Sequence, residues 1–148
     1  MEYEIDELDK GIIKFLSHDG RMSFSEIAAN LKVSEKTVRL RYKNLIDTGI
    51  MEVVGVVNPV AMGVKAGAII QLKVQPQRVT EAIEELSKFK EIRYITLTSG
   101  PYSLLVQIAV ATQEHITQTL LKLNELPSIT EVNSIIQLEV YKNTFEYL

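Results

Sequence analysis

The sequence has no cysteine, which excludes disulfides and thiolate-held metals. Histidine is nearly as scarce. His18 and His115 are the only two; one precedes a turn and the other falls on a predicted helix far along the chain, so structural or surface roles are expected for both. No apolar run approaches the roughly 18 residues that would span a bilayer. The acidic start, MEYEIDELD, lacks the basic region and apolar stretch of a secretory signal. No clustered carboxylates, phosphate-binding glycine loop or nucleophile–base pair is recognisable. These absences predict a cytoplasmic chain with no membrane contact, catalytic residue, cofactor or metal site.

What is present is a folded composition. The 148 residues are 46% apolar and 24% charged, enough for one domain or two small ones. The net charge of −3 argues weakly against non-specific nucleic-acid binding, but its distribution is uneven. Between Leu31 and Ile46 five cations (Lys32, Lys36, Arg39, Arg41 and Lys43) face one anion, Glu35, a local charge of +4. A basic segment on an acidic body suits a protein that meets DNA through one surface.

The local signals there are those of a helix-turn-helix. Asp6 is a predicted N-cap for a first helix, with Leu8, Ile12, Phe15 and Leu16 as its apolar stripe and Asp19-Gly20 as its stop. Ser23-Phe24-Ser25-Glu26 is a capping-box pattern for a second helix. Ser34 caps a third, to about Asp47, closed by Gly49. At helical spacing Val38, Tyr42 and Leu45 face a core, while Lys36, Arg39, Lys43 and Leu40 lie opposite. Such a basic face supplies cations for phosphates and guanine edges, and Leu40 an apolar contact for a thymine methyl. Ser23, Ser25 and Ser34 lie at helix N-termini, where free amides favour phosphate, and Thr37 completes the predicted DNA-contacting set. Arg41 falls nearer the core edge and is predicted to buttress the helix or grip the DNA backbone rather than read a base. Met51–Val57 is strand-like and is predicted to form a wing.

The remainder predicts strands at Ala66–Val74, Ile92–Thr98, Leu104–Ala111 and Glu131–Tyr141. Helices follow Pro76 and span Gln113–Leu126. The order βαββαβ is ferredoxin-like, so the fold class is α+β: a winged helix-turn-helix at 1–57, a linker at 58–65 and a ferredoxin-like domain at 66–148. Ile69, Ile70 and Leu72, with Leu104, Leu105, Val106 and Ile108, read as apolar on both sheet faces, which predicts dimerisation through the open face. Two copies would present two recognition helices about one helical turn apart, matching a palindromic double-stranded site.

These pieces together resemble the Lrp/AsnC family of leucine-responsive and asparagine-synthesis regulators. The resemblance rests on Leu8-Asp9, Gly20-Arg21, Val33-Ser34 and the series Val38, Arg41, Leu45, Gly49, Ile50. Asn58-Pro59, Gly63, Gly100 and Leu104-Leu105 extend it along nearly the whole chain. It implies a transcription regulator with a RAM-type sensor domain, assembling as dimers and often tetramers or octamers. It further implies an amino-acid-like effector near the hairpin turn, where Ser99, Gly100, Pro101, Tyr102 and Ser103 would line the pocket. Three departures stand out. Lys32 replaces the usual turn glycine, Met51-Glu52-Val53 lacks the usual wing cation, and Ser103 replaces an aspartate able to pair with a ligand ammonium. A haem-biosynthesis decarboxylase is built on a similar chain and is the alternative function. Against it, an acidic porphyrin would want a cationic pocket, and the sensor half is expected to have no basic cluster.

Overall fold

The computed structural model describes residues 3–144, 147 and 148. The chain divides into two compact units. One runs from the start of the chain to Val56 and includes the segment from Lys142 onward; the other is Val57–Tyr141.

The first unit is helical. Helix α1 is Glu7–His18, α2 is Phe24–Leu31 and α3 is Glu35–Asp47. Their starts are set by side chains that take up orphan amides. Asp6 accepts from the Asp9 amide at 2.9 Å, and the Asp9 carboxylate returns a bond to the Asp6 amide at 3.2 Å. Ser23 and Glu26 form the predicted capping box, and Ser34 caps α3 through the Thr37 amide at 3.1 Å. Ile12, Leu16, Ile27, Ala28, Val38 and Leu45 make the core. Each fully buried aliphatic side chain there contributes about 1.5–3 kcal/mol.

The α2–α3 turn depends on Lys32, which has φ +56° and ψ +42°. A non-glycine residue in this left-handed region costs roughly 1–2 kcal/mol. The conformation lets the Lys32 amide reach the Ala29 carbonyl and the Val33 amide the Ala28 carbonyl. Gly49 (φ +70°) ends α3 in the same region without that cost.

The predicted wing strand is not formed. Met51–Val57 has no ladder partner, and Val54, Val56 and Val57 are exposed. A β-leaning composition needs a neighbouring strand to satisfy its backbone, and the described chain offers none there. The predicted linker is an ordered turn. Asn58 accepts from the Val60 amide at 3.0 Å and Val64 donates to the Pro59 carbonyl at 2.9 Å.

The second unit is a four-stranded antiparallel sheet of β1 (Ala66–Val74), β2 (Ile92–Leu97), β3 (Leu104–Val110) and β4 (Ile129–Ile136), with helices α4 (Val79–Leu86) and α5 (Gln113–Asn124). The strand order is β2-β3-β1-β4, as the ferredoxin-like reading requires. A single 3-10 turn, Pro76–Arg78, precedes α4. Strand β4 ends at Ile136, so the predicted stretch to Tyr141 is too long. Ala68, Ile70, Leu72 and Val74 alternate inward with Leu104, Val106, Ile108 and Val110, against Ala82, Leu86, Ile116 and Leu123.

The opposite sheet face corrects the expectation of an apolar surface. Strand register places Ile69 beside Gln107 and Ile135, Gln71 beside Leu105 and Asn133, and Lys73 beside Glu131. It is a mixed surface carrying its own polar ladder, because the alternation sends Ile70, Leu72, Leu104, Val106 and Ile108 all to the helix side. Among the described residues no helix is long and apolar enough to cross a membrane.

Candidate nucleic-acid interface and effector turn

Helix α3 presents its predicted face to solvent. Leu40 is 59% exposed, and Lys36, Arg39 and Lys43 surround it. A shallow groove of about 500 Å³ runs between this face and the start of α2, lined by Phe24, Leu40, Tyr42 and Ile46 with the cations at its rim. The Phe24 and Tyr42 rings lie 4.9 Å apart, and the Arg39 guanidinium sits 5.1 Å from the Phe24 centroid. The cations are not all free. Arg39 bonds Glu35 at 2.7 Å, and Lys43 pairs with Asp47. Asp47 lies one residue beyond the basic window read from sequence.

Ser23 and Ser34 are engaged as caps, while Ser25 lies in the first turn of α2. The Ser23 hydroxyl contacts the Glu26 carboxylate at 2.6 Å and Ser25 Oγ at 3.2 Å. That hydroxyl, followed by the Ser23 amide, holds the Glu26 carboxyl below its ordinary range. The Ser34 and Thr37 hydroxyls pair at 2.7 Å. All three serines remain exposed.

Arg41 does what its position on the helix predicted. Its guanidinium reaches Asp6 at 2.9 Å, Asp9 at 3.2 Å and the Tyr3 hydroxyl at 3.4 Å. Asp9 is fully buried and also accepts from Tyr3 at 3.0 Å. The Tyr3 bond, then the Asp9 and Asp6 charges, raise the Arg41 pKa. Sequence reading found the arginine but not its partners. The signal available was an acid at Asp9, one residue from the apolar stripe of α1.

In the second unit Gly100 (φ +99°) makes the β2–β3 turn. Thr98 closes it, with its amide on the Ser103 carbonyl at 2.8 Å and its hydroxyl on the Tyr102 carbonyl at 2.7 Å. Ser99, Gly100 and Pro101 are exposed at its tip. The Ser103 hydroxyl oxygen is buried and has no hydrogen-bond partner among the described residues. Tyr102 leads to a cluster that sequence spacing could not reveal. Its hydroxyl donates to Glu131 at 2.6 Å, Lys73 bonds the same carboxylate at 2.6 Å, and the Lys73 ammonium lies 5.3 Å from the Tyr102 ring centroid. Asn133 donates to Gln71 beside them at 2.7 Å. Lys73 and Tyr102 hold the Glu131 carboxyl below its ordinary 4.5, and Glu131 in turn raises both Lys73 and Tyr102.

A second cavity, about 390 Å³, lies beside α5 and brings Lys90, Lys122 and His115 together with Glu91. The absence of a basic cluster in this half is therefore true of the linear sequence and not of the fold. Glu91 lies 3.8 Å from Lys122 and offsets part of that charge.

Residues 5–46 match the AsnC-type helix-turn-helix domain, and residues 67–147 match the Lrp/AsnC ligand binding domain. The chain belongs to the Lrp/AsnC family. An uncharacterised HTH-type transcriptional regulator of Pyrococcus furiosus is 35% identical over 140 residues, covering 93% of this chain and 95% of that one. The HTH-type transcriptional regulator LrpA of Pyrococcus horikoshii is 34% identical, covering 93% and 99%. The fold matches that of Escherichia coli AsnC with a TM-score of 0.89 at 24% identity, covering 95% and 97%. A transcriptional regulator of Neisseria meningitidis, solved as its L-Met complex, matches at 0.88 and 19% identity, covering 96% and 95%. As a Lrp/AsnC member the chain is a DNA-binding transcriptional regulator, and its α2–α3 pair is the family's helix-turn-helix.

Two outcomes follow for this site. Arg41→Ala leaves Asp9 buried without its cation. The expected loss is about 2 kcal/mol, below the 3–5 of a fully buried pair because the arginine is 31% exposed; chemical denaturation measures it. The Glu131 triad has a defined pH window. A depressed carboxyl stabilises above its unfolded value, about 4.5, and that stability is lost as pH falls through the folded value. The raised Lys73 stabilises below 10.5 and ceases to do so as pH rises through its folded value. The stability difference between wild type and Glu131→Gln should therefore be flat from about pH 5 to 10 and shrink on either side, as read by unfolding across pH.

Proposed function

We propose that this regulator reads a palindromic double-stranded operator as a cytoplasmic homodimer, and that an amino-acid-like effector modulates it. The observation that carries the DNA half is the exposed outer face of α3, where Lys36, Arg39 and Lys43 ring a solvent-facing Leu40. Phosphates and base edges are the partners this chemistry fits. Thr37, Ser25 and the cap serines Ser23 and Ser34 stand at the helix N-termini, where they support phosphate contact. Ile69, Leu105 and Ile135 form the apolar part of the sheet face assigned to the partner copy; assembly to tetramers or octamers extends the same logic.

The effector half rests on the Gly100–Ser103 turn. Serine at 103 offers no anion, but Glu131 supplies one next to Tyr102. Lys73 supplies a cation, and the orphan Ser103 hydroxyl a further polar group. Glu131 and Lys73 bond each other in this structure, and a zwitterion's ammonium and carboxylate can replace each in turn as partner, with the Ser103 hydroxyl as a third group. The methionine complex of the Neisseria protein favours the same ligand class. No catalytic role is assigned: the relatives are named as regulators, which favours this reading over the decarboxylase.

Lys36→Ala, Arg39→Ala and Lys43→Ala are each expected to weaken binding to the chain's own promoter region, by about tenfold for a lost base or phosphate contact. Affinity should also fall steeply with salt. Three variants with unchanged affinity would show that α3 does not read DNA. For the effector, a panel of amino acids is screened by thermal shift. A ligand at about 100 times its Kd adds about 2.7 kcal/mol, and Glu131→Gln should cancel the shift. No shift with any amino acid removes this half of the proposal.

A further inference from the structure

The DNA-facing side of α3 is less cationic in the fold than its cations alone imply. Glu35 holds Arg39 from one turn before it, and Asp47 holds Lys43 from one turn after it. Only Lys36 of the three has no ion pair among the described residues. All four paired side chains are at least half exposed, so the pairs lie where phosphates would arrive. Three cations and two carboxylates leave this face a single net positive charge.

Helix stability does not account for both pairs. Glu35 sits in the first turn, where a carboxylate complements the helix dipole. Asp47 is the last residue of α3, the end where the dipole disfavours an anion. Lysine four residues before an acid is also the weaker orientation of such a pair. Exposed pairs of this kind add little to folding. Their consequence is electrostatic.

We propose that Glu35 and Asp47 are specificity-determining residues of the DNA interface. They suppress binding to arbitrary duplex by occupying Arg39 and Lys43, and release them only where correctly placed base edges replace the carboxylates. The proposal rests on α3 being the reading helix. Non-specific affinity comes from cations neutralising phosphates and releasing counterions. A cation that arrives with a carboxylate attached neutralises less and brings like charge against the backbone. At a matching site Arg39 exchanges Glu35 for guanine O6 and N7. Such a bidentate contact discriminates roughly 5- to 150-fold, more than an exposed ion pair withholds. The Phe24 ring under the guanidinium keeps Arg39 aimed after Glu35 lets go.

The test begins with the full wild-type chain enriching duplexes from a random pool. The enriched duplex and a scrambled one of equal length are then titrated by fluorescence anisotropy over about 50–200 mM salt with wild type, Glu35→Gln, Asp47→Asn and the double variant. On the scrambled duplex each single variant is expected to bind about 3- to 10-fold tighter, with the log–log salt slope steeper by up to about 0.9 per freed cation. The enriched duplex should gain less, so the ratio between the two falls. Unchanged scrambled binding in all three variants, or equal gains on both duplexes, overturns the proposal. A pool from which wild type enriches nothing overturns the reading of α3 itself, and is seen before any variant is made. Melting temperatures close to wild type are expected for all three, since both carboxylates are exposed.

Discussion

The helix-turn-helix unit depends on one buried carboxylate. Asp9 has no solvent exposure, and a charge in that position needs partners. Arg41, the Tyr3 hydroxyl and the Asp6 amide supply them. These groups come from the segment before α1, the start of α1 and the middle of α3, so satisfying the carboxylate joins α1 to α3 at one register. The apolar core of Ile12, Val38 and Leu45 provides most of the driving force, but burial is non-directional. The apolar stripe of Val38, Tyr42 and Leu45 turns α3 so that Lys36, Arg39, Leu40 and Lys43 face outward, and the ion pair fixes α3 against the start of α1 in that orientation. Arg41 is consumed in that task. It lies in the middle of the basic window, yet its guanidinium is bonded to Asp6, Asp9 and Tyr3.

Much of this was legible in sequence because it is local. Asp6, Ser23 and Ser34 cap the helices they were expected to cap, since a capping box needs only a few consecutive residues. The inward side of α3 followed from helical spacing, and strand order from the alternation of elements. What was not legible requires a partner distant in sequence, or a residue just outside a chosen window. Met51–Val57 has strand composition, but a strand exists only with a neighbour. The open sheet face looked apolar because Ile69 and Ile70, or Leu104 and Leu105, were read together; period-two alternation separates them and fills the outer face with Gln71, Lys73, Gln107, Glu131 and Asn133. Lys73, Tyr102 and Glu131 lie on three different elements, and no spacing links them. Asp47 escaped by one position, which made α3 look more basic than it is.

The same sheet therefore performs two tasks with its two faces. Its inner face is wholly aliphatic and packs on α4 and α5. Its outer face alternates apolar side chains with a hydrogen-bonded polar ladder that ends at the β2–β3 turn. A purely aliphatic outer face would bind a partner tightly and without selectivity. The laddered one carries charged groups, Glu131 and Lys73, that already satisfy one another and the Tyr102 hydroxyl. Ser103, next to Tyr102 in the chain, keeps a buried hydroxyl with no hydrogen-bond partner among the described residues.

The strand order also governs when each part of the chain can acquire its structure. Helices α1–α3 involve only residues 7–47 and close through nearby contacts, so they can form while the rest is still being synthesised. The sheet cannot. Its first strand lies between the third and the last, and Leu72 meets Val132, sixty positions further along the chain. Until Ile136 has emerged, β1 has one open edge and an uncovered row of amides and carbonyls. Pairing over such separation is slow. The nascent chain thus passes through a stage with its three helices formed, the segment of the same unit from Lys142 onward still to come, and one edge of the sheet open.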